Sequence, residues 1–325
     1  MASIKDVAKH ANVSISTVSI IINGKSEERK ISQETQKKVR QAMKELNYQP
    51  NFSAKKLRSS QNKKTIALFW TTDFREVMLA RFLSGLQTTI NKMKLDYDII
   101  IYPYENDHLC EEQTLTQISN YHGAIIANAS QKDLDFLKNL EPMIPIVLYN
   151  RYIENYSSVS VNDEAIANYA FSLLKDKNHI GLVKAPYAFQ GMEVRDNKLI
   201  ELLSGKTIQQ FQANENNSIS GYEIAKSIDF SSLNVIYTAS DMIALGIMHY
   251  CYQNHIHIPN DVEVLSIGNG LTSIDDFLNP SLSVIQIPME NMASECIHIL
   301  THLFNKHEII NKFIEPEIIK RESLK

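Results

Sequence analysis

Short apolar runs alternate with helix-periodic stretches from residue 66 onward, and this alternation limits the fold more than any other feature. Residues 66–70 (IALFW), 97–102, 123–126, 145–149, 179–184, 232–238 and 263–267 read as buried strands. Residues 77–94, 109–120, 132–140, 163–175, 190–203, 219–228 and 241–254 between them have helical periodicity. Strand–helix alternation of this kind implies parallel sheets covered by helices on both faces. Two such sets meeting near residue 155 predict two lobes. Ligands of such folds bind outside the carboxyl ends of the strands, which here places a small molecule in the cleft between the lobes.

Charge divides the chain at a different place. Residues 1–64 hold 14 Lys and Arg against 5 Asp and Glu, a net of +9, whereas the remainder holds 19 against 32, a net of −13. A small basic head on a large acidic body points to a polyanion as partner of the head alone. The chain is 44% hydrophobic and 22% charged, a globular composition. No apolar run reaches the ~18 residues of a transmembrane helix, and the start has no signal-peptide pattern. Three widely spaced cysteines suit reduced thiols. Together these lead us to expect a cytoplasmic protein without a membrane.

The head reads as three short helices. Ser3 and Asp6 form a capping-box pattern, and Ile4, Val7, Ala8 and Ala11 make one apolar stripe. Asn12 stands where that helix must stop, and Asn tolerates the left-handed conformation. Ser14 is a second N-cap, followed by a helix that turns Val18, Ile21 and Ile22 inward. A third helix begins at Ser32 and buries Val39, Ala42, Met43 and Leu46. The first two form a helix-turn-helix, whose second helix shows Ser16, Thr17, Ser19 and Asn23 outward, residues that reach phosphates or base edges. Beyond Pro50, which Asn51 can follow as a cap, lies a two-turn helix ending in Leu57 among Lys55, Lys56 and Arg58. An apolar residue among cations is the composition of a minor-groove wedge.

IKDVAKHANVSISTVS, the Asn23-Gly24 end, Ser32-x-x-Thr35 and YQPNFSAKKLR together closely resemble the head of the LacI/GalR family of bacterial transcriptional regulators. The resemblance continues through PIVLYNR (145–151), VSVND (159–163), Arg195, TASDMIALG (238–246), IPNDVEVLSIG (258–268) and FLNPSLSVIQIP (277–288). It implies a small all-α helix-turn-helix head on an α/β two-lobed body like a periplasmic binding protein. The implied divisions are a DNA-binding head at 1–58 (helix-turn-helix about 4–23, hinge helix about 50–58), a linker at 59–64 and an effector-binding and dimerisation body at 65–325. Lobe 1 is expected at about 65–155 and 289–310, with 289–310 a helix, and lobe 2 at about 156–287.

By resemblance, Ile15, Ser16 and Ile20 face bases. Ser14, Thr17, Ser19, Asn23, Ser32, Thr35 and Asn51 match phosphate-contacting positions. Ala54 and Lys55 match minor-groove positions of the hinge helix, and Leu57 the residue that levers open a base step. Arg195, Ser240 and the Gly268-Asn269 turn match the effector cleft, as do Asp73 and Arg75 after the first strand, with Asn150 nearby. Two departures bear on the operator. Ile20 stands where the family usually has Arg, whose bidentate contact with guanine is the commonest specific one. The loop at 25–30 is about three residues longer than the family pattern.

Each cleft residue also has a plain structural reading: Arg195 as a surface helix residue, Asp241 as a helix N-cap, Ser240 as a strand end. Asn269 and Asn150 stand where relatives often carry acids. A less acidic cleft that keeps Arg195 suits a phosphorylated or carboxylated sugar, since Arg binds such anions bidentately. The function expected is a sequence-specific DNA-binding repressor of carbohydrate-utilisation genes, a homodimer on a double-stranded operator controlled by a sugar or sugar-phosphate effector. The alternatives are a global regulator with a protein co-effector and a sugar-binding or sugar-processing protein. No cofactor or metal is expected. His307-Glu308 lacks the second His of a zinc helix, the 255–257 His pair is isolated, and there is no G-x-S-x-G.

Overall fold

The computed structural model describes residues 4–22, 26, 29–46, 63–73, 75, 78–112, 115, 121–142, 144–270, 272–306 and 308–325. The chain divides into two compact units, Met1–Lys63 and Lys64–Lys325. In the head, α1 (Ile4–His10), α2 (Ile15–Ile22) and α3 (Gln33–Glu45) enclose Val7, Ala8, Ala11, Val18, Ile21, Val39 and Ala42. Asn12 takes the left-handed conformation, φ 50°, between the first two helices. The Ser14 hydroxyl accepts the Thr17 amide at 3.0 Å and so caps α2. Ser32 caps α3 through the Thr35 amide at 3.3 Å. The Ser3 half of the capping box, Asn23-Gly24 and everything from 47 to 62, where a hinge helix is expected, lie outside the described residues, as does His307.

The body contains two six-stranded sheets. The first has the order β11-β5-β4-β3-β1-β2, with β1 Lys64–Thr71, β2 Tyr97–Tyr104, β3 Gly123–Ala127, β4 Ile146–Tyr149, β5 Ser157–Val161 and β11 Asn311–Ile314, every pairing parallel. The second has the order β12-β10-β9-β8-β6-β7, with β6 His179–Lys184, β7 Thr207–Gln212, β8 Val235–Thr238, β9 Glu263–Gly268, β10 Ser283–Gln286 and β12 Glu317–Ile319; only β12 runs antiparallel. The central strands are buried on both faces, as the continuous apolar runs require. Helices α4 (Leu79–Lys92) and α5 (Gln131–Lys138) belong to lobe 1, and α6 (Asp163–Leu174), α7 (Gln190–Leu202), α8 (Ser218–Ala225), α9 (Asp241–Gln253) and α10 (Thr272–Asp275) to lobe 2. The chain returns in α11 (Met289–Leu303), which packs on α4 so closely that a Cβ on Gly85 would stand 2.5 Å from the Glu290 carbonyl.

Several expectations are corrected. The lobe boundary is not at 155: β5 pairs with β4 and β11, so lobe 1 runs to about 161. The tail crosses between lobes once more, β11 joining the first sheet and β12 the second. The strand Ser157–Val161 holds three serines, yet all five of its residues are buried. The Ser158 hydroxyl donates to Asn311 Oδ1 at 2.8 Å and the Ser157 hydroxyl accepts the Ile310 amide at 3.0 Å, so the strand's polar groups are satisfied by the returning tail. The helix of 289–310 ends at Leu303. Of the stretch expected as a helix over 109–120, the described residues begin with a 3₁₀ turn, Leu109–Glu111, followed by an extended Glu112; Leu115 is helical, and residues 113–114 and 116–120 lie outside the described residues. The buried Asp133 carboxylate accepts the Asp107 and Leu109 amides at 3.2 and 3.1 Å, tying this turn to α5.

Candidate effector cleft and DNA-binding face

The carboxyl ends of the strands in both sheets converge on one narrow cavity between the lobes. It is lined from lobe 1 by Arg75, Asn128, Tyr149, Asn150 and Arg151, and from lobe 2 by Phe189, Met192, Arg195, Asn216 and Asn269. Asn128 and Asn150 sit just past β3 and β4 with φ of 65° and 53°, which turns the chain sharply at the cavity wall. Arg195 projects from α7 and is 5% exposed. Its Nε donates to Asp163 Oδ1 at 2.5 Å. Arg75 is clamped by Asp73, with its Nε 2.9 Å from Oδ1, and donates from Nη1 to the Asn128 carbonyl at 3.1 Å. Burial works against the Asp73 charge, but the Arg75 guanidinium holds that carboxyl below its ordinary value.

Arg151 has no such carboxylate partner among the described residues. Its Nε and Nη1 donate to the Ala129 and Asn150 carbonyls, both at 2.5 Å, and its guanidinium lies 4.1 Å from the centre of the Phe189 ring. Burial, and behind it the neighbouring Arg75 cation, lowers its pKa to about 9, so it stays charged at neutral pH. Three guanidiniums line this cavity and, among the described residues, no carboxylate does. Four of its wall atoms are buried without a hydrogen-bond partner: Asn128 Nδ2, Arg151 Nη2, Arg195 Nη2 and Asn269 Oδ1. Unpaired buried polar groups cost ~1–3 kcal/mol each. Four around one cavity, two from each lobe, mark a place suited to a polar ligand.

In the head, α2 turns Val18 and Ile21 into the core and leaves Ile15 and Ser16 exposed, with Thr17, Ser19 and Ile20 half-buried at its flanks. The Ser14 hydroxyl lies 2.6 Å from that of Ser16 and 2.8 Å from that of Thr17. The hydroxyls of Ser32 and Thr35 are 2.8 Å apart at the start of α3. Asn23, Asn51, Ala54, Lys55 and Leu57 lie outside the described residues.

Comparison with known proteins agrees with both units. Residues 3–51 match the bacterial regulatory proteins of the lacI family, and residues 206–324 match a periplasmic binding protein-like domain. Among curated proteins, an uncharacterised HTH-type transcriptional regulator, YvdE of Bacillus subtilis, is 28% identical over 99% of both chains. The lac repressor dimer bound to operator and the anti-inducer ONPF shares the fold, with a TM-score of 0.71 at 16% identity over 99% of this chain and 98% of that one. A LacI family transcription regulator from Clostridium acetobutylicum is 30% identical, with a TM-score of 0.75, over 80% of this chain and 100% of its own. The chain belongs to the LacI family.

It is therefore a DNA-binding transcription regulator of the helix-turn-helix type, not an enzyme. Among the described residues no helix is long and apolar enough to cross a membrane, and no group of three His, Cys, Asp or Glu could hold a metal.

Of the six cleft residues expected from the family, Arg75, Asn150, Arg195 and Asn269 line the cavity. Asp73 and Ser240 stand behind the wall: Asp73 orients Arg75, and the Ser240 hydroxyl makes a short contact with Asn216 Oδ1. The reading of Asp241 as N-cap is corrected. Ser240 caps α9 by accepting the Ile243 amide at 3.3 Å, and Asp241 instead accepts the Asn269 and Gly270 amides at 3.0 and 2.8 Å, fixing the turn that carries Asn269. Arg151, Asn128, Phe189 and Asn216 went unnoticed in the sequence. Arg151 ends the PIVLYNR segment, so a family signal for it was present.

Behind that turn lies Asp275, fully buried with neither carboxylate oxygen hydrogen-bonded. Burial first, and the Asp241 charge second, raise its pKa to about 7 from an ordinary 3.8. A carboxyl whose folded pKa is raised keeps its proton when the unfolded chain has lost it. Stability therefore falls as pH rises from about 4 to about 7 and is flat beyond. Asp275→Asn removes this loss. The variant should melt several degrees above wild type at pH 8, a gain on the order of 2–4 kcal/mol, and the gap should close near pH 4–5. Parallel melting curves at the two pH values check this.

Proposed function

We propose that this LacI-family chain is a homodimeric repressor of carbohydrate-utilisation genes, acting in the cytoplasm, whose effector is a sugar bearing a carboxylate or a phosphate. The observation that carries this reading is the cavity that, among the described residues, is lined by three guanidiniums and no carboxylate and has three unpaired donor nitrogens. Arg151 belongs to lobe 1 and Arg195 to lobe 2. An anion between them turns a repulsion of like charges into a bridge, and so favours one lobe arrangement over the other. The lobes are also linked by Arg81 on α4, held by Glu290, which donates to the Asn269 carbonyl at 3.1 Å. An effector touching Asn269 acts on the same turn. Through the two arrangements it biases whether the hinge segments at 50–58 pair on the operator. Ser14, Thr17, Ser19, Asn23, Ser32, Thr35 and Asn51 would hold phosphates, and Ile15, Ser16 and Ile20 would face bases in the major groove. Ala54, Lys55 and Leu57 would enter the minor groove.

Melting of the full chain against matched sugars, uronic acids and sugar phosphates tests the effector class. A ligand at about 100 times its Kd adds ~2.7 kcal/mol, which for a body of this size raises Tm by roughly 5–10 °C. Acidic sugars should give such a shift and their neutral parents should not. Equal shifts with the neutral parents would refute the anionic reading.

A further inference from the structure

The inner cavity is not the whole cleft. It opens past Phe189 and Arg151 into a second, wider hollow, which shares Asn150, Arg151, Ala188 and Phe189 with it. The two differ in size and chemistry. The inner cavity offers about 50 Å³, room for roughly three to five water molecules at ~10–15 Å³ each. A carboxylate or phosphoryl group has that size; a sugar ring does not. The outer hollow offers about 780 Å³, within the ordinary range of small-molecule sites.

The outer walls suit uncharged sugar. Tyr152, Tyr187 and Phe313 are exposed large side chains on this one hollow, an arrangement that solvent-facing loops and a strand edge do not need for packing. Aromatic faces accept the C–H faces of a pyranose ring. Glu154 and Glu193 line the same hollow and can accept hydrogen bonds from sugar hydroxyls; of the other charged groups there, Asp163 is paired with Arg195, Lys138 with Asp135, and Arg151 is shared with the inner cavity. Charge therefore belongs inside and neutral sugar outside.

We propose that the effector is an oligosaccharide of two or more units with its negative charge at one end, the charged group seated in the inner cavity and the neutral sugar lying in the outer hollow against Tyr152, Tyr187 and Phe313. This rests on the anionic reading above and adds to it the length and orientation of the ligand.

The test uses the full chain and titration calorimetry. The probes are glucuronic acid, galacturonic acid and glucose 6-phosphate, each paired with a disaccharide in which a neutral hexose extends the same acidic unit. The acidic disaccharides should bind at least ~10-fold more tightly than their monosaccharides. Among the described residues the Tyr152 side chain makes no hydrogen bond or ion pair and is 56% exposed, so Tyr152→Ala should keep the melting temperature. It should erase most of the disaccharide's advantage and weaken the monosaccharide much less, since a longer ligand covers more of the aromatic wall; Tyr152→Phe should restore the advantage. Equal affinity for monosaccharide and disaccharide, or equal weakening of both by Tyr152→Ala, overturns the outer subsite and leaves the anionic reading standing. Binding of neutral sugars alone, or of none of the acidic probes, overturns the anionic reading and this inference with it.

Discussion

Operator affinity of the full-length protein should fall ~10³–10⁵-fold between 50 and 200 mM salt, the range for a protein that neutralises about 6–10 phosphates. The cause is the division of charge along the chain. Residues 1–64 carry +9 and the rest −13, so a duplex is attracted by the head and repelled by the body. The described part of the head adds little base-reading chemistry of its own. Ile15 is apolar and exposed, Ser16 is short, and Ile20 offers an apolar surface where a guanidinium is usual in the family. With few polar base contacts, a larger share of the affinity comes from phosphates, and the salt slope reports how many of them the head neutralises. Filter binding across a salt series on a selected operator and on an unrelated duplex measures both slopes. A nearly flat log–log plot on the operator would show that the basic head is not the DNA-binding surface. A body lacking residues 1–63 should bind neither duplex at any salt concentration.

What could be read in the sequence followed from local rules that the tertiary structure did not override. Asn12 at φ 50° and the hydroxyl caps of Ser14 and Ser32 are decided within three or four residues, so the head's helices were legible. The central strands were legible because burial on both faces leaves an unbroken apolar run. Failures came where long-range contacts settle the outcome. Val159 and Val161 alternate with serines that the distant segment at 310–311 satisfies, and no window around 157–161 contains that information. β11 and β12 lie among Lys and Glu residues and owe their pairing to sheet edges formed more than a hundred and about thirty residues earlier in the chain, respectively. Asp275 precedes a second acid, Asp276, and nothing in its local sequence marks it, yet the fold buries it. Ser240 and Asp241 are both good N-caps at neighbouring positions, and only the Asn269–Gly270 turn, brought up by β9, shows which one is otherwise engaged. In the cleft, Arg195 was legible by family position. Arg151 was not singled out because an Arg after an apolar strand reads as a solvated strand end. Its inward aim depends on the left-handed turn at Asn150 and on the Ala129 carbonyl 22 residues away.

Arg195→Ala should abolish the response to effector while leaving operator affinity within about twofold of wild type. Arg195 Nη2 is one of the unpaired donors on the cavity wall, and the residues proposed to read DNA belong to a separate unit of the chain. A hydrogen bond to a charged group contributes ~1.5–3 kcal/mol, so its loss weakens effector binding roughly ten- to more than a hundredfold. Ala also strands Asp163, whose carboxylate the Arg195 Nε now holds at 2.5 Å. Unpairing a largely buried ion costs several kcal/mol, and a weakened fold would dull the response for a trivial reason. Arg195→Lys separates the two effects. Lysine keeps a positive charge for Asp163 but cannot hold that contact and present a second donor to the cavity at once. Its melting temperature should stay near wild type and its effector response should still fall about tenfold. Titrating an acidic sugar against labelled operator, with melting curves on both variants, gives the needed readings. If both variants keep the wild-type half-maximal effector concentration, Arg195 serves only to hold Asp163, and the anion must be bound by Arg151 and Arg75 alone.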